Sequence, residues 1–178
     1  RIRAIVAEGG GAVVVGGGLL GLEAAWGLKS MGADVTLVHI IDRLMERQLD
    51  PVAAGLLKND LERLGIKVLL GKKTVEITGD KSADGLLFSD GSRVDARLVV
   101  MSAGIKPNAA LAASSGIYTE RGIVVGDTMQ TYDPAVWAVG ECVQHRGATF
   151  GLVGPVFEQA RVLANHLAGD GRMVFVQK

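Results

Sequence analysis

The run Gly16-Gly17-Gly18-Leu19-Leu20-Gly21 has the clearest chemical meaning in the chain. Its spacing is G-x-G-x-x-G. In that pattern the first glycine makes a tight turn, the second lets bare backbone approach a pyrophosphate, and the third lets a helix pack closely on a strand. Gly16, Gly18 and Gly21 take those places, and Leu20 sits in the first helical turn behind them. The N–H groups of that turn and the positive end of the helix dipole would hold two phosphates. The string carries weight only where it follows a strand and opens a helix inside a βαβ unit. A turn tightened for packing alone is the alternative.

An acid about 20 positions further on would grip the adenosine ribose. His39 stands there instead, followed by Asp42 and Arg43. A histidine donates to a ribose hydroxyl, or to a 2′-phosphate when protonated. Arg43 and Arg47 would serve a 2′-phosphate or simply face water, so the sequence leaves the choice between NAD and NADP open. The charges at 42–47 read as a solvated loop. His39, His145 and His166 have no Cys, Asp or Glu at ligand spacing, which argues against a metal site. Cys142 is the single cysteine, whereas a dithiol reaction needs two; it reads as a structural thiol.

Around the glycine run, Ala12 to Val15 is a β-branched strand signal, followed by a helix with Gly21, Ala25 and Leu28 on one face. Met31-Gly32-Ala33 ends that helix, and 34–41 reads as the next strand. Asp50 before Pro51 marks a second helix start, carried on by Leu57, Leu61 and Leu64 and stopped at Gly65. Residues 66–70 make a third strand. The order implies a right-handed βαβαβ unit, an α/β, Rossmann-like parallel sheet. Turn pairs at 79–80, 84–85 and 90–91 predict an antiparallel β-meander over 74–95, laid on that sheet. A buried strand returns at 97–101. Beyond 103 the chain reads as irregular, with short strands at 123–125 and 136–139. A last helix opens at Pro155, with Val156, Ala160, Leu163 and Leu167 along one side and Gly169 at its end.

Composition narrows the function further. The 178 residues include 25 glycines, so many backbone positions turn sharply or lie close to something. Formal net charge is zero, which leaves no basic field for nucleic acid. Few aromatics are present for base stacking. No apolar run is long enough for a membrane span. One cysteine fits a reducing, cytoplasmic setting. The chain starts at Arg1, and residues 1–6 read like the end of a helix already under way, as in a trimmed or clipped chain.

Thr131 to Glu141 (TYDPAVWAVGE) resembles the second flavin motif of the pyridine nucleotide–disulfide oxidoreductase superfamily. The resemblance implies that Gly140 and Glu141 meet the ribityl or pyrophosphate end of FAD, with Glu141 standing where Asp is usual. It implies that the helix near Pro155 points its dipole at the flavin, and that 103–108 (AGIKPN) is the crossing back to the flavin domain. Gly104 would then approach the dinucleotide from the opposite side, and Glu23 would contact its nicotinamide end. Two windows, 39–50 (HIIDRLMERQLD) and 140–160 (GECVQHRGATFGLVGPVFEQA), resemble the large subunit of assimilatory NAD(P)H nitrite reductases. That similarity implies hydride transfer from NAD(P)H to FAD, with siroheme and an iron–sulfur cluster lying outside these residues. Transfer needs the nicotinamide carbon about 3–3.5 Å from the flavin nitrogen, and no side-chain acid or base.

The expected organisation is a nicotinamide domain over 1–103 and the returning, C-terminal portion of a flavin-type domain over 104–178. Without the N-terminal flavin fingerprint, the chain is expected to bind dinucleotide weakly, to hold no FAD, and to self-associate through uncovered apolar surface on 105–169. A ferredoxin- or rubredoxin-reductase-like flavoprotein is the alternative within enzymes. A non-catalytic dinucleotide sensor is the alternative outside them, although a sensor has no use for the 131–141 motif.

Overall fold

The computed structural model describes residues 2–177. They form two compact units, Arg1–Ala103 and Gly104–Lys178.

The first unit is built on four parallel strands. Helix α1 (Ile2–Ala7) leads into β1 (Gly11–Val15), α2 (Leu19–Ser30), β2 (Asp34–Val38), α3 (Pro51–Arg63) and β3 (Ile66–Leu69). Strands β4 (Thr74–Thr78), β5 (Gly85–Phe88) and β6 (Arg93–Asp95) pair antiparallel as a separate meander before β7 (Leu98–Met101) rejoins the main sheet. The parallel order is β3-β2-β1-β7. The chain winds outward from β1 in one direction and returns on its other side, so the strand order reverses at β1. Crevices at such switch points are where open α/β sheets take their ligands.

Both faces of the sheet are covered. Ala12 and Val14 point towards α2 and α3, in a core with Ala25, Leu28, Leu37 and Leu61. Val13 and Val15 point the other way, under Leu86 and Phe88 of the meander. This explains why β1 reads as an unbroken apolar run rather than an alternating one. In α2 the buried residues are Gly21, Ala25 and Leu28, as the spacing predicts.

Asp50 caps α3 as expected, its carboxylate accepting from the Val52 and Ala53 N–H groups at 2.9 Å each. Replacing Asp50 by Ala is expected to cost about 1 kcal/mol, read as a lower denaturation midpoint with unchanged slope. The apolar stripe of α3 departs from expectation at one end: Leu61 is buried, but Leu64 is the 49% exposed C-cap. The second strand is also shorter than predicted: it ends at Val38, and the His39 ring that follows turns back to the Gly17 N–H.

The second unit contains α4 (Ala110–Ser114), β8 (Ile123–Val125), β9 (Val143–His145), β10 (Ala148–Thr149) and α5 (Val153–Leu167). Strand β9 lies between its neighbours, parallel to β8 and antiparallel to β10. The strand expected at 136–139 is not there. Trp137 makes one isolated bridge to Gln130, and β8 pairs with 143–145 instead. The reason is local. The Thr131 N–H donates to the Val136 carbonyl, the Val136 N–H to the Asp133 carbonyl, and the Ala135 N–H to the Asp133 carboxylate. Those groups are therefore spent on a turn around Pro134. Strand β9 escaped the apolar pattern because two of its three buried residues are polar, Gln144 and His145.

Helix α5 opens at Val153, two residues before Pro155. The proline falls in the first turn, where a missing N–H costs nothing. Its buried residues are Gln159 and Val162, while Ala160 and Leu167 face outward, so the helix is rotated from the expected stripe. A fully buried glutamine sets that rotation: Gln159 Oε1 accepts the Gly140 N–H at 2.9 Å. The short helix α4 was expected to be irregular; its alanine-rich sequence favours a turn of helix.

Candidate dinucleotide site

The glycine run lies between the end of β1 and the start of α2, at the switch point of the parallel sheet. Three of its glycines each have a different steric reason to be glycine. Gly16 adopts φ +127, and a Cβ there would lie 2.3 Å from the Ser102 carbonyl oxygen. A Cβ on Gly17 would meet the His39 ring at 2.6 Å and Leu44 at 2.8 Å. A Cβ on Gly21 would lie 1.8 Å from the Gly16 carbonyl oxygen. Gly18 is unlike these three. Its backbone is extended, at φ −86 and ψ −178, and nothing stands within 4 Å of where a Cβ would be. The protein itself makes no steric demand for glycine at 18, and the space before it is open.

Gly18 is also the N-cap of α2, and no side chain caps that helix. The N–H groups of Leu19, Leu20 and Gly21 have no carbonyl four residues back within the helix. Leu20 is more than half exposed, so the approach to this turn is not sealed. The arrangement offers an anion several unpaired donors at the positive end of a 12-residue helix. Glu23 is exposed in the second turn, outside the first-turn positions that the dipole favours for acids.

His39 is buried against the glycine run. The Gly17 N–H donates to its Nδ1 at 3.0 Å, and its Nε2 lies 3.1 Å from Glu46 Oε2. Because Nδ1 accepts from Gly17, the ring N–H lies on Nε2, facing Glu46. No N–H of His39 is left for a ribose hydroxyl or a 2′-phosphate. Its placement is that of a brace behind the turn.

Residues 42–47 are more than the solvated loop that their charges suggest. Leu44 is fully buried in the core beneath α2. The Met45 N–H donates to the Gly17 carbonyl at 3.0 Å, and Met45 takes φ +51 to do so. Arg43 Nη2 reaches the Glu46 carbonyl at 3.4 Å, while Asp42 and Arg47 are exposed. Burial alone would raise the Glu46 pKa. Its own backbone N–H, the His39 ring and the charge of Arg47 outweigh this and hold it below the ordinary carboxylate value. Glu46 was not singled out from the sequence. The only available signal was an acid within a few residues of a strand end that lacks one.

The other anticipated residues lie in the second unit. Gly104 is its first residue, exposed, at φ +97. Gly140, at φ +105, is held by Gln159, and Glu141 beside it is exposed. Helix α5 begins with no side-chain cap, its N-cap being Leu152. Cys142 is half-buried and its thiol faces the Val139 carbonyl at 3.5 Å. The three histidines are dispersed: His145 pairs with Asp127 at 2.8 Å, and His166 Nε2 lies 2.7 Å from the Met173 carbonyl oxygen. Among the described residues, no helix is long and apolar enough to cross a membrane.

A family profile described as pyridine nucleotide-disulphide oxidoreductase matches residues 3–162. The chain is 56% identical over 158 residues to a nitrite reductase [NAD(P)H] of Bacillus subtilis (strain 168), an alignment covering 89% of this chain and 20% of that protein. It is 39% identical over 161 residues to the nitrite reductase (NADH) large subunit of Escherichia coli (strain K12), covering 88% and 19%. The chain thus spans about a fifth of the length of these curated relatives. Among solved structures, a ferredoxin reductase for the CYP199A2 system from Rhodopseudomonas palustris superposes with a TM-score of 0.86. The two are 30% identical, over 97% of this chain and 44% of that one. A NAD-dependent persulfide reductase from A. fulgidus gives 0.89 at 31% identity, over 98% and 34%.

Proposed function

We propose, from the premise that the chain belongs to the pyridine nucleotide-disulphide oxidoreductase family, that it is the electron-entry segment of a nitrite-reductase-like flavoprotein. Residues 1–103 are its nicotinamide-binding domain, and 104–178 are the returning part of its flavin domain. The observation that carries this reading is Gly18, a glycine that the fold does not need and a pyrophosphate does. The 56% identity to a nitrite reductase favours that subgroup over the ferredoxin reductases.

In this reading the first turn of α2, with Leu20 and Gly21, binds the diphosphate through backbone N–H groups. Gly16 and Gly21 keep turn and helix close enough to do so, and His39 fixes Gly17 from behind. Glu23 faces the nicotinamide end. Gly140, Glu141 and the start of α5 suit the polar part of FAD, since Glu141 is exposed, α5 has no side-chain cap, and Gln159 braces Gly140 beside them. Hydride transfer from nicotinamide to flavin is the chemistry that the bound cofactors supply. The chain's own contribution is to orient them, which explains why the glycine turn holds no acid, base or nucleophile.

Isothermal titration with NADH and with NADPH tests the reading. Saturable binding of at least one is expected. Heat no greater than dilution with both, at millimolar coenzyme, would remove the dinucleotide site.

A further inference from the structure

Position 39 closes β2, where a dinucleotide fold ordinarily presents a carboxylate to the ribose. Here it carries an imidazole whose two nitrogens are both engaged, by the Gly17 N–H and by Glu46. The loop that follows folds back onto the glycine turn, pinned by buried Leu44 and by the Met45 N–H on the Gly17 carbonyl. The result is a chain of contacts from turn to imidazole to carboxylate. Glu46 is 31% exposed in its side chain, and the His39 bond occupies only Oε2. The carboxylate also accepts its own backbone N–H, which leaves about two of its four lone-pair sites open to a ligand.

We infer that Glu46 supplies from the loop the carboxylate that the strand end lacks, accepts the hydroxyls of the adenosine ribose, and so selects NADH against NADPH. This rests on the reading of the glycine turn as a dinucleotide site. A 2′-phosphate would replace a donor with an anion in front of a carboxylate that is already committed, an unpaired and repulsive arrangement. Arg43 turns its Nη2 to the Glu46 carbonyl and buries its Nε, and capture of a 2′-phosphate by its remaining N–H groups would contradict the inference. Arg47 is exposed, and capture of the 2′-phosphate by Arg47 would contradict it as well.

The test compares NADH, NADPH and 2′-deoxy-NADH by titration against the native chain and Glu46→Gln. Glutamine keeps an acceptor for the His39 Nε2–H but loses the charge. The native chain is expected to bind NADH about tenfold more tightly than either analogue, as loss of one charge-assisted hydrogen bond implies. In Glu46→Gln both gaps should shrink towards unity. Equal or tighter binding of NADPH by the native chain overturns the inference, as does indifference to the 2′-hydroxyl. Neither of those results depends on the variant folding. Unchanged gaps in a folded Glu46→Gln overturn it too. Failure of all three ligands to bind is a different result, and it removes the site itself.

Discussion

Gly18→Val abolishes dinucleotide binding and leaves the chain folded. The substituted residue keeps an extended backbone that any amino acid adopts, and no atom lies within 4 Å of the new Cβ. The folding cost is then that of exchanging a glycine N-cap for a poorer one, within about 1 kcal/mol. The branched side chain fills the volume before the helix N-terminus, where a diphosphate would sit. Losing two charge-assisted N–H bonds at about 1.5–3 kcal/mol each weakens binding at least about a hundredfold. Parallel titrations of the native and variant chains, with circular dichroism and a denaturant midpoint for each, measure both halves of the claim. Equal affinity for the coenzyme in both would mean that the open space before Gly18 holds no ligand.

Gly21→Ala does the reverse, three residues away. Its methyl group would be placed 1.8 Å from the Gly16 carbonyl oxygen, a backbone atom that no rotamer change can move. Either α2 lifts from the sheet, opening the core around Ala25 and Leu28, or the Gly16 turn distorts. Overpacking against backbone at the centre of a unit is expected to cost about 3 kcal/mol or more, a large share of a domain's stability. The measurement is a shift in thermal or denaturant midpoint without any ligand. A variant as stable as the native chain would show that helix and turn do not meet as closely as this. The two glycines share one motif, yet the missing Cβ serves the ligand at one and the fold at the other, so only Gly18→Val weakens binding without a loss of stability.

The parts of the first unit that could be read in advance depend on near neighbours in sequence. Asp50-Pro51 caps α3 through bonds two and three residues away. The Gly21, Ala25, Leu28 face follows from helical period alone, and the meander from its turn pairs. What could not be read depends on partners far along the chain. The bond from Gly17 to His39 spans 22 positions, and only the fold places that imidazole where it consumes the turn's N–H. For the same reason residues 42–47 read as solvated charge, although Leu44 is buried and Glu46 is held against His39. In the second unit, β9 and the rotation of α5 were obscured by buried polar residues. Gln144, His145 and Gln159 enter the interior because each finds a hydrogen-bond partner there, which no hydropathy pattern reports.

Sequence by itself determined the glycine turn, the α/β order around it and the family to which the chain belongs, because spacing and residue type carry those through local geometry. Tertiary structure alone decided which glycine is spare, which way His39 faces and which carboxylate stands beside the turn. Those depend on atoms brought together by the sheet, and a contact across 22 residues is fixed by packing rather than by either residue's identity.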